Sequence, residues 1–212
     1  MGKINLGILG SFSGKVGNVV GGSWKGISYM RAKAANVSNP RTDGQVGQRS
    51  KFALVLAILK PMTGFIRVGY KRFTTKQTAF NAAMSYILNN AIIGAFPDFS
   101  VDLSKVLVSR GNLTVASGAQ ALATGGSIGL TWNDNSGSSN ALATDKALVL
   151  VLNPLRAEAV YETAGNARTT GAQEIAVPAE WLGESVEVFL GFITEDGKDL
   201  ANSVYLGSVE VA

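Results

Sequence analysis

Asn39–Leu59, NPRTDGQVGQRSKFALVLAIL, is the stretch from which the fold is read. It begins as a turn, because Pro40 holds Asn39 extended. Thr42 or Asp43 then offers an oxygen to the first free N–H groups of a helix. Asp43 at its start and Lys60 at its end suit the helix dipole. Phe52, Val55, Leu56 and Leu59 recur at i, i+3, i+4, i+7 and mark an apolar stripe. Ala53, Leu54 and Ile58 make the second half apolar nearly all round, so it is expected to be buried on several sides. Pro61 ends the helix.

Working back from this helix, residues 15–34 read as a β-hairpin or ribbon. Gly21-Gly22 between two β-favouring runs is the expected turn. Lys25, Ile27, Tyr29 and Arg31 alternate with Gly26, Ser28, Met30 and Ala32, which gives one face of large side chains and one of mostly small ones. A lone hairpin is marginal in water, so this one docks on helices or pairs with a sheet edge in another subunit. Working forward, residues 62–73 fit either a short helix or irregular chain, since Gly64 and Gly69 weaken a helix. Thr74-x-x-Gln77 fits a capping box, and Phe80, Ala83, Met84, Ile87, Leu88 and Ala91 give an amphipathic helix ending at Gly94.

From Asp102 the period changes to two. Candidate strands are 105–109, 113–116, 127–133, 147–153, 159–163, 174–177, 185–193 and 203–211, separated by Gly, Asn and Asp turns. Trp132 and Trp181 are expected to anchor their core. The fold class is therefore α+β: a basic hairpin-and-helix domain, residues 1–98, and an antiparallel immunoglobulin-like or fibronectin-like β-sandwich, residues 99–212.

Charge is unevenly placed. Residues 1–76 hold thirteen Lys and Arg against the single acid Asp43, a balance of +12. The remainder holds six basic and fourteen acidic residues, a balance of −8, so the net +4 hides two opposite halves. Such asymmetry points to a nucleic acid, or to a partner of opposite sign such as another copy of the chain. The chain has no histidine and no cysteine, which excludes a histidine-based triad, a thiol nucleophile and a histidine metal site. Gly14-Lys15 lacks the Ser or Thr of a phosphate loop, and the loop at Asp134 lacks the closing Glu of a calcium loop. No catalytic, cofactor-binding or metal residue is assigned, and the reading is non-enzymatic. The first residues form no continuous apolar block, so the expectation is synthesis in the cytoplasm without a signal peptide and without a membrane span.

The string SGKVGNVVGGSWKGISYMRAKA, then NPRT, then QVGQRSKF, resembles an uncharacterised protein family associated with Bacteroidetes and their phages. The likeness covers residues 1–72. It implies a viral or assembly role and supplies no catalytic residue. The leading reading is a structural protein that assembles with its own copies, a phage-related virion or filament subunit, as part of a virion or extracellular assembly. Its basic ribbon would join the acidic half of the next copy head to tail, as a ring or filament. The candidate interaction residues are Lys15, Trp24, Lys25, Ile27, Tyr29, Arg31, Lys33, Arg41, Gln45, Gln48 and Arg49. Arg41 and Arg49 are expected to hold the loop to the helix or to a neighbouring chain by charge-assisted hydrogen bonds. The alternative reading is a nucleic-acid-binding protein, with Trp24 and Tyr29 stacking on bases and the basic side chains on phosphates.

Overall fold

The computed structural model describes residues 2–4, 10–24, 26–36, 39, 41–75 and 77–212. Among them are three α-helices and thirteen strands, all paired antiparallel, which is the α+β class. The chain divides into two units, Met1–Thr42 and Asp43–Ala212. The expected boundary at 98/99 is thus replaced by one at 42/43.

The N-terminal unit is one open sheet. Its strands are β1 (Lys3–Ile4), β2 (Phe12–Val16), β3 (Val19–Trp24) and β4 (Ile27–Ala32), in the order β1-β2-β3-β4. Turns sit at Gly17-Asn18 and at Gly26, and both glycines have positive φ. Gly21-Gly22, read as the turn, lies in the middle of β3. The pair is there for space: a Cβ on Gly21 would stand 2.2 Å from the Phe12 carbonyl oxygen, and one on Gly22 would stand 3.0 Å from the Tyr29 ring.

The second unit begins with α1 (Asp43–Leu59), α2 (Thr63–Gly69), a 3-10 turn at Lys71–Phe73 and α3 (Ala79–Asn90). The cap of α3 is Thr78, whose side chain accepts from the Asn81 N–H at 3.1 Å; the expected box at Thr74 falls outside the helix. The two glycines that weakened the helical reading of α2 are contact points. A Cβ at Gly64 would meet the Tyr161 hydroxyl at 2.1 Å, and one at Gly69 the Val108 carbonyl oxygen at 2.3 Å. Helix α3 stops at Asn90 rather than Gly94, because residues 92–101 form a hairpin of β5 (Ile92–Ala95) and β6 (Asp98–Val101) with Gly94 at φ +85°.

Two antiparallel sheets follow. The first, in the order β10-β9-β12-β13, contains β9 (Lys146–Asn153), β10 (Glu158–Glu162), β12 (Ser185–Ile193) and β13 (Val204–Glu210). The second, in the order β11-β8-β7, contains β7 (Ser117–Thr124), β8 (Ser127–Asn133) and β11 (Ala172–Ala176). Ile128, Leu130 and Trp132 of β8 meet Val149 and Val151 of β9 and Val188, Leu190 and Phe192 of β12 in the core between the sheets, where Trp181 is also buried. The opposite faces of β9 and β12, with Leu148, Leu150, Leu152, Phe189 and Ile193, pack on Val55, Leu59, Phe65, Ile66 and Ile87 of the helices. The helices therefore share a core with the sheet, which is why no boundary falls near residue 98. Each large apolar side chain buried in this way contributes about 1.5–3 kcal/mol.

The expected strands at 105–109 and 113–116 are not strands. Residues 106–113 are threaded between elements and bond them one at a time: Arg110 N–H donates to Gly69 O, Val108 N–H to Ser203 Oγ, and Leu113 N–H to Leu200 O. A buried cluster closes the sandwich. The Arg168 guanidinium, fully buried, donates to Asp145 Oδ2 (3.1 Å), Asn135 Oδ1 (2.7 Å) and the Thr114 carbonyl (3.0 Å), and lies 3.8 Å over the Phe192 ring. Burial pulls its pKa down, and Asp145 opposes that shift.

Candidate interaction surface

Residues opposite each other in antiparallel strands share a face. The pairs Trp24↔Ile27, Gly22↔Tyr29, Val20↔Arg31, Lys15↔Val20 and Lys3↔Ser13 therefore place Lys3, Lys15, Trp24, Ile27, Tyr29 and Arg31 on one side of the N-terminal sheet. This basic, aromatic face gathers five of the candidates read from the sequence. Lys33 follows β4, with its backbone N–H donating to Asn18 O at 2.7 Å. Lys25 lies outside the described residues, as does Pro40 of the turn before the helix.

The other face was not singled out from the sequence. The pairs Ile4↔Phe12, Gly14↔Gly21, Val16↔Val19, Val19↔Ala32 and Gly21↔Met30 place Ile4, Phe12, Val16, Val19 and Met30 there, and the Phe12 carbonyl and ring cover this face at buried Gly21. No charged residue stands on it among the described residues. Within a hairpin of alternating Gly, Ser and Val this face is inconspicuous, because it is assembled from four short strands.

Parts of both faces are exposed, while Gly21 in the middle of β3 is buried. Trp24 is 67% accessible, Ile27 70%, Met30 71% and Ile4 59%, and every residue of β4 is exposed. Strand β4 is also an edge, with β3 as its partner among the described residues. It carries no proline and a single charge, Arg31, which leaves a usable row of backbone donors and acceptors.

In the second unit, Gln45, Gln48 and Arg49 are exposed in the first half of α1, beside Gly44 and Phe52. Arg41 belongs to the N-terminal unit. Helix α1 is less buried than its composition led us to expect. Val55 and Leu59 face the core, while Phe52 and Leu56 stay about half exposed. Gln48, Lys51 and Phe52 of α1 face Asn81, Met84 and Leu88 of α3 across a groove of about 640 Å³. Gly47 is buried against the Phe96 and Phe99 rings of the β5–β6 hairpin, and Lys51 Nζ sits 4.6 Å from the Phe99 centroid.

Several carboxylates of the sandwich are engaged locally. Glu184 accepts from Arg156 (2.7 Å) and Asn153 (2.6 Å), and those bonds hold its pKa below the usual range. Glu187 accepts from the Tyr205 hydroxyl. Asp196 accepts from the Lys198 backbone N–H and the Thr194 hydroxyl within its turn. Among the described residues no group of three or more Asp or Glu is placed to hold a metal ion. No single described helix is long and apolar enough to cross a membrane; α1 and α2 pass that test only together, across a bend of 90°.

Residues 11–207 match DUF6266, a family of unknown function. The chain belongs to this family. The match runs from β2 to β13, so both the N-terminal sheet and the sandwich are part of what defines DUF6266. No curated protein matches the chain.

Proposed function

We propose that this DUF6266 protein is a non-enzymatic structural protein that assembles with copies of itself through its N-terminal sheet, as a phage-related virion or filament component. One observation carries the reading. Among the described residues of a 42-residue unit, seven large apolar side chains (Ile4, Val16, Val19, Trp24, Ile27, Tyr29 and Met30) are exposed. A sheet gains stability by covering an apolar face, and exposed patches of this kind on soluble chains mark interaction sites. The charge pattern supports the same reading. The N-terminal unit has six basic residues and no acid, whereas residues 77–212 carry a balance of −8. Edge strand β4 of one copy can add to a sheet edge of the next, with opposite charge setting orientation and rate.

The sandwich is consistent with the immunoglobulin-like or fibronectin-like reading. Counted from β7, its first, second and fifth strands form one sheet and the other four form the second. That architecture serves many functions and adds no chemistry of its own. Light scattering on the full chain, with and without residues 1–42, tests the proposal. Assembly of the full chain and a monomeric remainder are expected; a full chain that stays monomeric at high concentration refutes it.

The second reading, binding of single-stranded nucleic acid, is favoured by the face that joins Lys3, Lys15 and Arg31 to Trp24 and Tyr29. It leaves the apolar face unexplained. Fluorescence titration with oligonucleotides over a range of salt separates the two, because phosphate contacts give an affinity that falls steeply with salt.

A further inference from the structure

We propose that edge strand β4 of one copy adds, antiparallel, to edge strand β10 in the sandwich of the next copy. This rests on the self-assembly reading and names the receiving edge and its register. Neighbouring residues of an antiparallel strand turn their backbone groups to opposite sides. The Lys33 N–H donates to Asn18 O, so Lys33, Arg31, Tyr29 and Ile27 turn theirs toward β3. Those of Ser28, Met30 and Ala32 point away from the sheet. In β9 the Ala147 N–H donates to Asn166 O and its carbonyl accepts from the Gly165 N–H, on the side where β10 lies. By the same alternation β10 bonds to β9 through Glu158, Val160 and Glu162, opposite Asn153, Val151 and Val149. The N–H and C=O groups of Ala159 and Tyr161 point outward, where no strand is paired among the described residues.

The other edges of the sandwich are less open. On β11, the Trp132 N–H donates to Gly171 O, so the carbonyls of Ala172 and Glu174 point away from β8. Side chains of the same chain take both: Ala172 O accepts from Asn166 Nδ2 and Glu174 O from Gln173 Nε2, each at 2.8 Å. Edges β7 and β13 lie against each other, and the Gly126 N–H after β7 donates to Ala212 O beyond β13 at 2.8 Å. Register then follows from length and charge. Bonds form where outward groups meet, and pairing Ser28 with Tyr161 and Met30 with Ala159 covers all five residues of β10. Arg31 then stands opposite Glu158, Tyr29 opposite Val160 and Ile27 opposite Glu162, all on one face. The basic face of the N-terminal sheet runs on into a face that carries Glu158 and Glu162, both exposed. A shift to Met30 opposite Tyr161 carries Glu158 past the end of β4 and sets Arg31 against Val160. The contact is heterologous, so each copy offers one β4 and one β10 and growth continues as a ring or filament.

Proline removes the outward donor of either strand and spares the ladders to β3 and β9. Full-length Met30→Pro and Ala159→Pro are each expected to stay monomeric by light scattering at concentrations where the parent assembles. Mixed, they are expected to give a one-to-one dimer that grows no further, because the first keeps its β10 and the second its β4. Arg31→Glu leaves the backbone intact and is expected to weaken assembly severalfold. Mixing it with Glu158→Lys is expected to restore assembly, since every contact then joins opposite charges. If the parent assembles but Met30→Pro assembles alike, or the two proline variants fail to pair, this contact is wrong while assembly stands. Should the proline variants lose their fold by circular dichroism, the charge variants decide: Arg31→Glu assembling like the parent, or no recovery in the mixture, overturns the contact. If the parent is monomeric throughout, both readings fail.

Discussion

Replacing Arg168 by Met tests the account of the sandwich. The side chain is fully buried and makes three hydrogen bonds, to Asp145, Asn135 and Thr114, across segments far apart in sequence. Met keeps most of the stem that packs near Phe192 and removes the charge. Asp145 is then left fully buried with the Leu142 N–H as a remaining donor to Oδ2, and its Oδ1 already lacks a hydrogen-bond partner in the protein. Breaking a buried pair from one side costs about 3–5 kcal/mol, because an uncompensated charge stays behind. For a unit of this size each kcal/mol lowers Tm by about 2–4 °C, so a drop of about 6–20 °C is expected. The assay is urea and thermal unfolding followed by near-ultraviolet circular dichroism, since the Trp132 indole N–H donates to the Arg168 carbonyl at 2.7 Å. Arg168→Met with Asp145→Leu removes both charges and is expected to recover much of the loss, as apolar replacements of buried pairs are often near neutral. A single-variant loss under about 1 kcal/mol, or a double variant no better than the single, would refute the reasoning.

Gly21→Val places a Cβ 2.2 Å from the Phe12 carbonyl and should abolish assembly while the main melting transition of residues 43–212 stays in place; unchanged light scattering would count against the role of the sheet. Thr78→Ala should cost about 1 kcal/mol in urea unfolding, and Thr74→Ala clearly less, because Thr78 is the cap of α3. Burial pushes the phenol of Tyr70, which donates to Leu107 O, well above its ordinary pKa of 10.0, and burial with a bond to Glu187 pushes Tyr205 up to about 12. In both cases the fold favours the neutral form. Their contribution is therefore complete below about pH 10 and is lost as pH rises further, by up to about 1.4 kcal/mol per pH unit for the buried Tyr70. Tyr70→Phe should flatten that alkaline slope, and a slope unchanged by the substitution would contradict it.

Much of the second unit could be read directly. Strands β8 and β12 have the expected limits, 127–133 and 185–193, and β9, β10, β11 and β13 lie within a residue or two of theirs. Trp132 and Trp181 are in the core as expected. Strand β7 escaped because Ser117–Thr124 is Ser, Gly, Ala, Gln and Thr with one Leu, a composition with little strand preference; pairing with β8 makes it a strand. The shared core escaped for a different reason. Ala147–Leu152 and Val188–Ile193 are continuous apolar runs, the mark of strands covered on both faces, yet they were read as half of a two-sheet sandwich. On the candidate surface, period-two alternation placed Ile27, Tyr29 and Arg31 on one face, as the pairing of β3 with β4 has them; Lys25, read with them, lies outside the described residues. The opposite face depended on the four-stranded register, which no local pattern encodes.

Strands β9 and β12 form a wall common to two rooms, with helices on one side and the second sheet on the other. Neither room can be opened without stripping one side of that wall. The helices and the sandwich should therefore denature as one body, and a backbone amide in the middle of β9 should trade its hydrogen for deuterium only when the whole of residues 43–212 comes apart. The N-terminal sheet has no such wall. Its amides should exchange quickly in dilute protein and slow as concentration rises, so the exchange clock of β3 and β4 would read out the company the chain keeps.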